Sequence, residues 1–336
     1  MKKKGIPVFW LKAIVSGALV FWLFRSLVDI RPLLNVLAGA DIKLVGLAFS
    51  LRFVGVYISS ARWKKLLDTQ EIRIRLFTLY DSYLVASFFN LFMPTRIGGD
   101  VVRISDLRRV SKSLSKSAST IFAERFFGIL VLLVSTLAAS LIQVRLAKEL
   151  PPVWIGIGLG LTGLGVLLLV LYTRILEFCL RLLPFAVIRN KMLPSWQTFR
   201  QSALFLLLKK ESSKWGLWYS LLLQVNVVLH FWLLGKSLGF NISLVNYFIL
   251  VPIQLFVLML PSINGIGLRE VSSILLFGWY GVRATEAVAF GMLDLVTMMI
   301  FGLVGWFRFL TRASISAVET GEAKSTCPSR VLKTES

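Results

Sequence analysis

Six stretches of the chain stay apolar for the roughly 20 residues that cross a bilayer's hydrocarbon. They are 7–28, 42–61, 117–143, 153–173, 215–235 and 286–307, and each predicts a full span. The first resembles a signal peptide, with Ala38-Gly39-Ala40 as its cleavage site, but Arg25, Asp29 and Arg31 interrupt the path, so an uncleaved span fits better. Two shorter apolar stretches, 76–93 and 244–260, behave differently. The first closes at Pro94 and Thr-Arg-Ile-Gly-Gly-Asp, the second at Pro261 and Ser-Ile-Asn-Gly-Ile-Gly-Leu-Arg-Glu. A further short helical stretch follows each break. Broken backbone at membrane depth is tolerated only under protein or water, so 76–116 and 244–280 read as re-entrant helical hairpins.

Composition agrees. Hydrophobic residues make up 56% of the 336 and charged residues 16%, against about 25% charged in a soluble domain. So much apolar side chain lacks the polar cover that a water-borne core needs. The expectation is an all-α polytopic membrane protein with about six full spans and two re-entrant hairpins. Net charge is +21, from 38 Lys and Arg against 17 Asp and Glu. In a soluble chain that excess suggests nucleic acid. Here its distribution assigns it to topology. With a cytoplasmic N-terminus, the inside segments 1–6, 62–75, 94–116, 174–214 and 308–336 hold 27 Lys and Arg, and the outside segments hold 6. That is the positive-inside rule, with the inner face held against anionic lipid. The expected location is the cytoplasmic (plasma or inner) membrane, both termini cytoplasmic, with no nucleic-acid partner. Residues 174–214, mixing Leu and Phe with basic residues, read as interfacial helices. The tail 311–336 reads as polar and disordered. Cys179 and Cys327 make no disulfide framework, and with His230 the single histidine there is no Cys/His metal set. No cofactor is expected.

The first hairpin enters from the cytoplasm and the second from outside, so span–hairpin–span occurs twice with opposite orientation, in halves 42–143 and 215–307. Pro94-x-x-x-Gly98-x-x-x-x-Arg103 is echoed by Pro261-x-x-x-Gly265-x-x-x-Arg269. Pro/Gly-interrupted segments at matching places in two halves mark the binding site of transporters built from inverted repeats.

Ionisable groups at membrane depth cost about 2.5–3.5 kcal/mol each on insertion scales and call for a partner or a function. The deep candidates are Asp81, Glu124, Arg125, Arg269, Glu270, Asp294 and Arg52. Glu124 and Arg125 are neighbours, as are Arg269 and Glu270; neighbours on a helix point about 100° apart, so each is expected to pair across helices, at a common centre. Two ion pairs that only lock the repeats together are the structural alternative. Gly98-Gly99-Asp100 and Gly265-Ile266-Gly267 each open a helix. Free N–H groups there suit an anion, and Arg96, Arg103 and Arg269 add forked donors; equally, Asp100 caps its own helix. His230 reads as a buried polar contact rather than a proton relay.

Asn90-Leu-Phe-Met-Pro94-Thr-Arg-Ile-Gly98-Gly-Asp100-Val-Val-Arg103, then Glu124-Arg125, then Leu260-Pro261-Ser-Ile-Asn-Gly265-Ile-Gly267-Leu-Arg269-Glu270 resemble one family over about residues 8–310. Ala61-Arg62-Trp63 also fits its pattern. That family is the lysylphosphatidylglycerol synthase transmembrane region, or flippase-like domain proteins. In two-part members this domain flips aminoacylated phospholipid made by a fused soluble domain. No such domain follows residue 310 here, so lysyltransferase activity is not expected. The resemblance implies a single flippase-like domain over 1–310 and a translocase for a phospholipid or polyprenyl-phosphate-type lipid. Arg96, Gly98, Gly99, Asp100, Arg103, Glu124, Arg125, Asn264, Gly265, Gly267, Arg269 and Glu270 would take the headgroup. Without a nucleotide-binding motif, transport would be passive or ion-coupled, with Asp81, Glu124, Glu270 and Asp294 as proton carriers. The rival is a membrane-embedded glycosyl or headgroup transferase acting on a lipid phosphate.

Overall fold

The computed structural model describes residues 30–92, 98–142, 151–173, 175–177, 186–258, 265 and 267–311. Their principal elements are α1 (Ile30–Ala38), α2 (Ile42–Asp68), α3 (Leu76–Phe92), α4 (Gly98–Ser111), α5 (Leu114–Ile142), α6 (Pro151–Tyr172), α7 (Ala186–Leu208), α8 (Lys210–Ser237), α9 (Leu244–Val257), α10 (Leu268–Gly278) and α11 (Ala284–Thr311). No strand occurs among the described residues. Among the described residues four helices, α2, α5, α8 and α11, are long and apolar enough to cross a membrane. Leu141, Val166, Leu303 and Phe307 on long helices point outward, the reverse of a water-soluble surface and the pattern of a lipid-facing one. The chain is a polytopic α-helical membrane protein. The stretch expected to span at 153–173 is helical as α6, and 7–28 and the tail beyond 311 lie outside the described residues. The segment read as interfacial contributes α7, 23 residues running through Pro194 and packed on α5, and the first turn of α8.

The bundle is organised around α2 and α8. Asp41 starts α2 by accepting the N–H groups of Lys43 and Leu44 at 2.8 and 3.4 Å, while its own N–H donates to the Ser237 carbonyl near the end of α8 at 2.9 Å. Further along, Gly55 faces Asn226, Arg62 reaches Ser220, and Lys65 stands over the Trp215 ring at 4.9 Å. Residue numbers rise on α2 as they fall on α8, so the two helices run antiparallel.

The remaining helices pack twice in the same way. When α2–α5 are exchanged with α8–α11 in order, the packed pairs α2–α3, α3–α4, α4–α5 and α2–α5 become α8–α9, α9–α10, α10–α11 and α8–α11, all of which are present. Contacts between the sets obey the same exchange: α3–α11 answers α9–α5, and α5–α8 answers α11–α2. Each set has its own apolar filling. Trp63, Leu67, Leu79 and Leu107 close the space among α2, α3 and α4. Phe231, Tyr247, Phe277 and Phe290 close that among α8, α9, α10 and α11. Both helix–break–helix units predicted from Pro94 and Pro261 are therefore packed pairs, α3 with α4 and α9 with α10.

Candidate functional site

Glu124 lies ten residues into α5, counted from Leu114, and is 1% exposed. Its carboxylate accepts from Arg103 on α4, from the Tyr83 hydroxyl on α3 at 2.8 Å and from Arg62 Nε on α2 at 3.4 Å. Arg62 also donates to the Ser220 hydroxyl on α8 at 2.8 Å. The Arg103 guanidinium lies 3.8 Å from the Tyr83 ring centre and 4.2 Å from that of Trp63, a cation–π contact that holds it where water is scarce. Asp100, one turn earlier on α4, accepts from Arg103 at 3.4 Å and from Arg125 at 2.8 Å. Local sequence explains the aim of α4. The Gly99 N–H donates to Asn90 Oδ1 at 2.7 Å, and a Cβ on Gly99 would stand 2.7 Å from the Ala86 carbonyl oxygen. Glycine lets α4 seat directly on α3.

Asp294 lies ten residues into α11, counted from Ala284. Arg269 Nη1 on α10 and Arg52 Nη2 on α2 each donate to its carboxylate at 2.5 Å, and His230 Nε2 on α8 stands 3.1 Å away. Arg52 also donates to the Thr297 hydroxyl at 2.9 Å. The other His230 nitrogen, Nδ1, is 2.8 Å from the Ala48 carbonyl oxygen. Here too a glycine turn sets the helix. Gly265 and Gly267 hold φ of 79° and 83°, a region glycine enters without steric penalty. The Gly267 N–H donates to the Glu270 carboxylate at 2.8 Å. Glu270 thus caps the end of α10.

The exchange that relates the helices also relates these two groups. Arg62 follows Ile42 by twenty residues and His230 follows Lys210 by twenty; Arg52 and Ser220 follow the same two residues by ten. Arg62, Ser220, Glu124 and Arg103 therefore answer His230, Arg52, Asp294 and Arg269. Both groups border one cavity of about 370 Å³, lined by Tyr83, Asp100, Arg103 and Arg125 from the first and Arg52, His230, Arg269 and Asp294 from the second. Glu124 and Arg62 stand behind Arg103. The Nε atoms of Arg103 and Arg269 are buried without a hydrogen-bond partner, and side-chain exposure there is only 5% and 1%. Across the two groups, five guanidinium groups (Arg52, Arg62, Arg103, Arg125, Arg269) face three carboxylates (Asp100, Glu124, Asp294). Among the described residues no three of His, Cys, Asp and Glu gather where they could hold a metal ion.

Of the residues singled out in the sequence, Arg52, Gly99, Asp100, Arg103, Arg125, Arg269 and Asp294 line the cavity, and Glu124 anchors it from behind. Arg96 and Asn264 lie outside the described residues. Gly98, Gly265 and Gly267 stand at the helix starts without lining the cavity, and among the described residues Glu270 pairs with no arginine, its carboxylate turning back onto Gly267. The charges do not meet at a single centre but form two groups. Asp81 belongs to neither: it pairs with Arg308 between α3 and α11, at 2.9 and 2.5 Å. Sequence reasoning missed Arg62, Tyr83 and Ser220 and set His230 aside. The signal that finds His230 is its place in α8, matching that of Arg62 in α2.

A family model for the lysylphosphatidylglycerol synthase TM region matches residues 9–305. A UPF0104 membrane protein of Pyrococcus horikoshii is 23% identical over 314 residues, covering 87% of this chain and 94% of the relative. One from Methanocaldococcus jannaschii is 25% identical over 305 residues, covering 84% and 89%. No solved structure gives a significant match. With the matched region taking in both helix–break–helix units and every member of the two charged groups, the chain belongs to the lysylphosphatidylglycerol synthase TM-region family.

Proposed function

We propose that this protein is a translocase for an anionic lipid, a phospholipid or a polyprenyl-phosphate-type lipid, in the cytoplasmic membrane, with both termini cytoplasmic. The observation that carries the reading is the positive excess lining the cavity: four guanidinium groups, Arg52, Arg103, Arg125 and Arg269, against two carboxylates, Asp100 and Asp294, inside a bundle of long apolar helices. Unbalanced cations at low dielectric are costly, and an entering phosphate relieves that cost. Arg103 and Arg269 both line the cavity, and a guanidinium offers the forked donors that suit phosphate oxygens. The headgroup would cross between the two helix–break–helix units while the hydrophobic tail stays in the bilayer. In this reading α3–α4 and α9–α10 are re-entrant hairpins of an inverted repeat, which the antiparallel α2 and α8 and the exchangeable packing support.

The test is reconstitution into liposomes with a panel of headgroup-labelled lipids. The expected result is transfer of an anionic lipid between leaflets without covalent change, reduced about tenfold or more by Arg103→Gln or Arg269→Gln, in keeping with the loss of a charge-assisted phosphate contact. A new lipid product seen by mass spectrometry overturns the translocase in favour of a transferase.

A further inference from the structure

Both ring nitrogens of His230 face acceptors: the Ala48 carbonyl oxygen at 2.8 Å and Asp294 Oδ1 at 3.1 Å. A neutral imidazole has a single N–H. Beside an ionised carboxylate it would turn a bare lone pair toward one of those oxygens, in a site where His230 is only 6% exposed. The contacts are satisfied when the His230–Asp294 pair holds one proton more than neutral imidazole plus carboxylate. The matching place in the first group is taken by Arg62, whose charge is permanent.

We propose that the His230–Asp294 pair is a proton-binding site linked to the anion cavity, so that each anionic headgroup is taken up together with a proton. The groups facing the pair come from every side. From α2 they are Arg52 and the Ala48 carbonyl, and from α10 Arg269, reaching Asp294 at 2.5 Å. From α9 the one titratable side chain is Tyr247, set against Gly235 more than a turn from His230. From α5, Glu124 and Arg125 belong to the first group, ten residues away along α8 at Ser220. α7 meets α8 at Ser213, whose hydroxyl donates to the Leu207 carbonyl, and its Arg200 is held by Glu177.

With the proton in place, Arg52, Arg269 and His230 surround one carboxylate, and an arriving anion relieves their repulsion. Anion and proton therefore favour each other, and by thermodynamic reciprocity each strengthens the other's binding by the same factor. Movement of the headgroup then carries a proton, and a proton gradient can drive it. This role in transport rests on the translocase reading. The linked binding itself does not.

The experiment uses the full chain in detergent with dioctanoyl phosphatidylglycerol, whose phosphodiester keeps one negative charge across the range. Wild type is expected to take up protons as it binds lipid in weakly buffered solution wherever the unliganded pair has lost its own, its affinity falling by at most about tenfold per pH unit as the pH rises. His230→Arg should bind with no proton uptake and flat pH dependence; His230→Gln should bind more weakly and equally flat. Uptake retained in both variants, or a flat wild type, overturns the proposal. Should His230→Arg fail to fold, His230→Gln alone carries the comparison. No binding by wild type overturns the anion cavity and the linkage together. Linked binding without transfer in liposomes overturns the translocase alone, and transfer indifferent to an imposed pH gradient, with flat binding, overturns the linkage alone.

Discussion

The two charged groups share a plan and differ in the chemistry of one cation. Each has an acid ten residues into a long helix, Glu124 or Asp294, and an arginine from a helix with glycine at its start, Arg103 or Arg269. In the first group the third cation is Arg62, and two aromatic rings brace Arg103. In the second, the matching position holds an imidazole, and Arg52 arrives where the first group has only the Ser220 hydroxyl. Two sets of helices packed alike thus bring two charged groups of one plan to the same cavity. Where the first group has the permanently charged Arg62, the second has an imidazole, and the linkage proposed above rests on that exchange.

The largest effects come from removing the acids. Glu124→Gln and Asp294→Asn each strand buried guanidinium groups, and thermal unfolding in detergent should show a loss of about 3–5 kcal/mol in either case. Glu124→Gln with Arg103→Met should recover part of its loss, because the stranded charge leaves with its partner. The pair also separates by pH. In Asp294→Asn a proton on His230 would add a third cation beside Arg52 and Arg269 with no carboxylate to face it, so lowering the pH should cost further stability and raising it should return some. Glu124→Gln, among permanent charges, should show no such recovery. Equal pH responses would erase the distinction between the groups.

Next are the glycines at the helix starts that aim the two arginines. Gly99→Ala places a methyl 2.7 Å from the Ala86 carbonyl oxygen, which must push α4 off α3; overpacking of this kind costs about 1–3 kcal/mol. Gly267→Ala is a matter of backbone, since φ and ψ are 83° and −50° there, a sparsely populated pairing that costs a residue with a Cβ about 1–3 kcal/mol. The first variant should also displace Asp100 and Arg103 and weaken lipid binding; the second should shift Arg269. If Gly99→Ala unfolds no earlier than wild type, the close seating of α4 on α3 is not needed.

These positions also mark what could be read from the chain. The Pro94 and Pro261 breaks, the glycines after them and the Glu124-Arg125 step are local signals, and the helices form where they predict. Pairing is another matter. Arg52 and Asp294 are 242 residues apart in sequence and Arg62 and Ser220 are 158 apart, and nothing local says which arginine an acid will choose. Glu270 was expected to pair across helices, yet a backbone N–H three residues earlier lies within its reach, and the nearer donor won. His230 had a signal that a reading of single spans passes over. Laid beside Arg62 by its place in the repeated helix, it stops being an isolated polar residue and becomes the counterpart of a charged one.

The smallest effect is expected at Asp81, the carboxylate that membrane depth alone made a proton carrier. It joins α3 to α11 through Arg308, with 28% and 41% of the two side chains exposed. Pairs that open contribute about 0–1 kcal/mol, so Asp81→Asn should lower the unfolding temperature slightly or not at all. More telling is proton uptake with lipid, which should be unchanged in this variant, because Asp81 borders neither charged group nor the cavity between them. Loss of uptake in Asp81→Asn would move the proton path to the α3–α11 seam. The contrast between Arg62 and His230 would then reduce to a difference in packing.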